Sequence, residues 1–96
     1  MAHAFAITLR CRAGEADTFR RVLGEITPEC QAEAGSIVWQ AHQSLEDGDV
    51  FLVYETYVDE AAYAEHLATP AFRRVEQELF PLLADREVRA YAAIGG

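Results

Sequence analysis

Glu55, Tyr57, Tyr63 and His66 put a carboxylate, two phenols and an imidazole into one stretch of the chain, Asp49–Phe72. An imidazole titrates near neutral pH and can take a proton from a phenolic substrate or hydrogen-bond the anion that results. Phenol rings can stack on an aromatic ligand or hydrogen-bond to it. Glu55 lies on a strand face that is otherwise apolar, where an unpaired carboxylate is expensive to bury, and His66 is its expected partner. Trp39, Phe51 and Phe72 add aromatic surface for a pocket lining. The plainer reading of the same residues is a set of core aromatics around a structural His–Glu pair. A metal site is not expected: the three histidines show no HxH or HExxH spacing, and Cys11 and Cys30 show no CxxC and no His–Cys cluster. No glycine-rich nucleotide loop is present either, so no bound cofactor is expected.

These side chains need a scaffold, and hydrophobic periodicity supplies one. From His3 to Cys11, Phe5, Ile7, Leu9 and Cys11 alternate with Ala4, Ala6, Thr8 and Arg10, which is a strand. Ala16, Phe19, Val22, Leu23, Ile26 and Cys30 then recur at helical spacing. Pro28 is expected to bend or end that helix near Ile26, and Gly35 to act as its C-cap. Ser36–Ser44 and Val50–Tyr57 read as strands joined by the acidic turn Glu46–Asp49, a hairpin. Ile37, Trp39 and Ala41 share one face of the first, and Phe51, Val53, Glu55 and Tyr57 one face of the second. Asp59 caps a short helix carrying Tyr63 and His66, and Thr69 with Pro70 starts another bearing Phe72, Val75, Leu79 and Leu83. Glu87–Ile94 closes the chain as a strand. The order β-α-β-β-α-β, its second helix split, is the ferredoxin-like α+β arrangement with a four-stranded antiparallel sheet. Both helices cover one sheet face, and the small and apolar residues of the other call for a partner, most simply a second copy of the chain.

A chain of 96 residues is expected to form a single domain, 1–96, with one modest core. Sixteen Asp and Glu against eight Arg, with no Lys, give a net charge of −8, which leaves no basic stripe for nucleic acid. No apolar run is long enough for a membrane helix, and the N-terminus has no signal-peptide pattern, so a cytoplasmic protein with two buried free thiols is expected. The pair Arg73 and Arg74 reads as a solvated helix face, or as one guanidinium at a pocket mouth that could steer an anion.

Glu33, Gly35, Glu55, Tyr57, Asp59, Ala62, His66, Pro70 and Phe72, in that order and spacing, resemble the antibiotic biosynthesis monooxygenase (ABM) domain family of the dimeric α+β barrel superfamily. The resemblance implies a homodimeric α+β barrel and a cofactor-independent monooxygenase of a small phenolic or quinol substrate, with molecular oxygen as co-substrate. It also implies His66, Tyr57 and Tyr63 as catalytic groups and Trp39, Phe51, Glu55 and Phe72 as the substrate lining. Tyr57 stands where the family usually has tryptophan, and Val53 where some members place asparagine. The haem-degrading branch is similar at His66 but has an asparagine on the first strand that His3–Ala6 does not supply. The fold equally hosts non-catalytic small-molecule-binding dimers and isomerases.

Overall fold

The computed structural model describes residues 2–95. The chain runs β1 (His3–Cys11), α1 (Ala16–Gln31), β2 (Ser36–Gln43), β3 (Val50–Tyr57), α2 (Glu60–Leu67), α3 (Pro70–Arg74), a π-helical turn (Val75–Leu79), a 3-10 turn (Phe80–Leu82) and β4 (Leu83–Ala92). The sheet order is β2-β3-β1-β4 and every pairing is antiparallel, as the ferredoxin-like expectation requires. Alternation decides which residues reach the helices: Phe5 and Leu9 of β1, Trp39 of β2, and Phe51, Val53 and Tyr57 of β3 are buried with Phe19, Val22, Leu23, Ile26 and Cys30 of α1 in one core.

Local expectations fail where tertiary contacts decide. Pro28 does not end α1, which continues to Gln31. The proline ring is exposed, so its missing N–H leaves no buried gap, and fully buried Cys30 holds the next turn against the core. The C-cap is Ala32, not Gly35. Gly35 instead lets two segments touch: a Cβ there would come closer than 3.0 Å to the Ala62 Cβ and within 3.4 Å of its Cα. Ile37 leaves the Trp39 face and is 56% exposed, because the β2–β3 register shifts between Ser36 and Val38.

The third helix is not one regular element. After Arg74 it widens, the Phe80 N–H bonding to the Val75 carbonyl five residues back, and Pro81, with no N–H to donate, falls where a further bond would be. β4 starts at Leu83 rather than Glu87, so Leu83 opens a strand and does not belong to the helical stripe.

β4 is an edge strand, exposed along nearly its whole length, with Val88 49% and Tyr91 54% exposed. On the face away from the helices, Tyr91 is joined by exposed Leu52 and Tyr54 of β3. No helix among the described residues is long and apolar enough to cross a membrane.

Candidate functional site

Helix α2 is short because it is capped at both ends. The Asp59 carboxylate accepts from the Ala62 N–H at 2.8 Å. Beyond the other end, the Thr69 hydroxyl donates to the His66 carbonyl at 2.8 Å and accepts from the Phe72 N–H at 3.1 Å, tying α2 to α3. This turn sets the His66 and Phe72 rings edge to face with centroids 5.6 Å apart, while Tyr63, one turn earlier, stacks on Phe5 of β1 at 4.1 Å.

His66 is 4% exposed, and its partner is not Glu55. Nδ1 lies 2.9 and 3.0 Å from the two carboxylate oxygens of Glu33, which α1 delivers just past its C-cap. A carboxylate can only accept, so this contact puts a proton on Nδ1 and leaves Nε2 of the neutral ring as an acceptor. Sequence spacing points to Glu55 because it is near on the facing strand; the distance from Glu33 to His66 is closed where the β2 approach packs on the start of α2, through the Gly35–Ala62 contact and the Val58 N–H donating to the Gly35 carbonyl at 3.0 Å.

Between the sheet and the helices lies a cavity of about 350 Å³, a size suited to a small aromatic molecule. Of the expected site residues, Trp39, Glu55, Tyr63, His66 and Phe72 line it. Tyr57 and Phe51 do not. Tyr57 is fully buried behind the wall, its ring 5.5 Å from that of Tyr63 and 5.3 Å from that of His66, and Phe51 packs on Phe19 at 4.7 Å in the core. Alternation placed both on the correct face; only the depth of the helix cover separates wall from core.

Glu55 is the anomaly of the cavity. It is 3% exposed, sits between Trp39 on one neighbouring strand and Phe5 on the other, and makes no hydrogen bond among the described residues. The Trp39 indole N–H and the Tyr57 hydroxyl are near enough to favour its charged form, as is the His66 ring, yet neither donor reaches hydrogen-bonding geometry and both are left unpartnered. Burial outweighs these influences and raises the carboxyl above its ordinary value. Burial, with the Glu55 charge behind it, also raises both tyrosines, and Arg86 opposes the shift at Tyr63. The Cys30 thiol, behind His66, is pushed up to about 12 by burial, with Glu33 and Glu55 adding to it.

The guanidinium in the lining is Arg86 of β4, stacked on Phe80 at 4.3 Å. Neither Arg73 nor Arg74 takes that place: Arg74 is committed to Glu78 at 2.6 Å and Glu25 at 2.9 Å on the surface. Starting β4 at Glu87 hid Arg86 in a connection. Its register opposite Leu9 puts it on the helix side of the sheet, and a strand beginning at Leu83 would have revealed it.

Residues 3–78 match the family described as antibiotic biosynthesis monooxygenase. No curated protein matches the chain by sequence. Solved structures resemble it closely in shape. One from Pseudomonas aeruginosa superposes with a TM-score of 0.92 at 24% identity, over 98% of this chain and 95% of that one. A candidate antibiotic biosynthesis monooxygenase from Nitrosomonas europaea gives 0.92 at 17% identity, over 98% and 91%. A Mycobacterium tuberculosis protein gives 0.90 at 20% identity, over 100% and 98%. At these identities the likeness is one of fold.

Proposed function

The chain belongs to the antibiotic biosynthesis monooxygenase family, and from that premise we propose that it oxidises a small phenol or quinol without a cofactor, the substrate lying in the cavity between sheet and helices. The observation that carries this reading is the Glu33 carboxylate on His66 Nδ1, which leaves a histidine in the wall of an apolar cavity with an acceptor nitrogen. His66 takes the phenolic proton, and the Glu33 carboxylate stabilises the imidazolium that forms. The resulting anion is the reductant. Of the two oxygen atoms of O₂, one is inserted into the ring and the other leaves as water, with the four electrons and two protons coming from the substrate, so no flavin or metal is required for balance.

Tyr63, held protonated by burial, donates to the substrate oxygen, and Trp39 and Phe72 sandwich the ring and keep water out. Two copies packed through the face bearing Leu52, Tyr54 and Tyr91 make the working unit.

Oxygen uptake with a panel of naphthols and quinols tests the reading. Wild type should turn over at least one member, and His66→Ala, checked for folding by circular dichroism, should lose about 10²–10⁴-fold, the share of a positioned base. Undiminished uptake in a folded His66→Ala, or no uptake anywhere in the panel, would refute it. A second reading has its own support: Glu55 across the same cavity gives a second proton-handling group, the arrangement an isomerase uses. Substrate rearrangement in the same panel under nitrogen distinguishes the two.

A further inference from the structure

One group of side chains runs from the cavity wall into the protein behind it. Cys30 in the last turn of α1 is fully buried, Glu33 follows just after the C-cap, and His66 reaches them from α2. Their donor atoms, a sulfur, a carboxylate oxygen and an imidazole nitrogen, all lie within 4.8 Å of one another. Ligands bound at roughly 2.0–2.3 Å to one ion stand at most about 4–4.6 Å apart, so small side-chain rotations suffice to close on a cation. His66 Nδ1 and the Glu33 oxygens already touch at 2.9 and 3.0 Å.

We propose that Cys30, Glu33 and His66 form a site for a borderline-soft divalent cation of the Zn²⁺ type. The donor set decides the class. Thiolate and imidazole favour Zn²⁺ or Co²⁺ over Mg²⁺ and Ca²⁺, which want oxygen ligands. Charge decides in the same direction: binding releases the Cys30 thiol proton to solvent, and a divalent cation with the resulting thiolate and the Glu33 carboxylate is a neutral cluster, which suits a buried position. Three protein ligands leave a fourth position for water or the second Glu33 oxygen.

Cys30 and Glu33 are not among the cavity-lining residues while His66 is, so the ion sits on the far side of the imidazole from any ligand in the cavity. It takes Nδ1, displaces the Glu33 hydrogen bond and leaves the ring proton on Nε2. His66 then offers the cavity a donor in place of an acceptor. If the proposed oxidation is correct, the cation therefore silences it; the binding itself does not depend on that reaction.

Co²⁺ is the spectroscopic probe, added to untagged full-length chain freed of metal by a chelator. Wild type should take up one equivalent with a near-ultraviolet thiolate-to-cobalt charge-transfer band, Zn²⁺ should displace it, and Zn²⁺ should raise the Tm. Cys30→Ala should abolish the band, and Cys11→Ala, which removes the other buried thiol, should keep it. Glu33→Gln preserves shape at a part-exposed position, so it serves even if Cys30→Ala unfolds; it should weaken Co²⁺ affinity at least tenfold. Absence of the band in wild type, its survival in folded Cys30→Ala, or unchanged affinity in Glu33→Gln overturns the assignment, and none of these readings involves turnover.

Discussion

Gly35→Ala is a small change with a large expected effect. The new methyl would fall within 3.0 Å of the Ala62 Cβ and 3.4 Å of the Ala62 Cα, and no flexible side chain is there to swing aside. Helix α2 must move outward by about 1 Å to restore ordinary contact. Forcing a methyl into a filled contact costs about 1–3 kcal/mol, and a clash with backbone belongs in the upper part of that range. Gly35 does not have positive φ, so alanine strains no backbone there and regains about 0.4–1 kcal/mol by restricting the unfolded chain. The net loss is about 2 kcal/mol. For a domain of this size that lowers Tm by about 8–16 °C, or the urea midpoint by about 1 M at a slope near 2 kcal/mol/M.

The partner substitution makes the argument testable. Ala62→Gly opens the space and should cost about 1 kcal/mol through helix propensity alone. Combined with Gly35→Ala it should remove the clash, so the double variant should be about as stable as Ala62→Gly, a coupling of about 2 kcal/mol. The same shift of α2 stretches the Glu33–His66 bond. The hydrogen-bonded ring N–H signal of His66 should therefore weaken by NMR in Gly35→Ala and return in the double variant. Additive losses, or wild-type stability in Gly35→Ala, would refute the claim that Gly35 sets the distance between these segments.

Glu55→Gln tests the buried carboxylate. Burial holds its pKa above the ordinary 4.5, so at low pH, where folded and unfolded chains are both protonated, it costs nothing. As pH rises through 4.5 the unfolded chain ionises first and wild-type stability falls relative to a variant that cannot ionise, until pH passes the raised value. Urea titrations should show the Glu55→Gln minus wild-type difference growing as pH rises above the ordinary 4.5, and a flat difference would contradict the burial argument. Tyr91→Glu, on the uncovered sheet face, should shift a dimer to monomer in sedimentation velocity without changing the circular dichroism; a wild-type monomer would remove the need for a partner there.

Much of the scaffold could be read locally. The alternation of Phe5, Ile7 and Leu9 and of Phe51, Val53 and Glu55 identifies strands and faces, because side chains on a strand point to opposite sides with period two whatever surrounds them. Asp59 and Thr69 act as helix caps where expected, since a cap needs only its own next three residues. Local rules erred at Pro28 and Gly35. A proline is tolerated or not according to what its ring faces, and a glycine's reason can lie in another segment.

The site divides along the same line. Residue type and strand or helix face already name Trp39, Glu55, Tyr63, His66 and Phe72, and the structure brings these five to the cavity wall. Which acid His66 meets depends on packing between elements distant in the chain. So do the exclusion of Tyr57 and Phe51, the entry of Arg86 and the meeting of Cys30 with His66. Each depends on where the end of α1 lands relative to α2, a position fixed by the sheet order, by the register shift in β2 and by the missing Cβ of Gly35. Periodicity carries direction along one element; distance between elements is set only when both are packed on the same sheet.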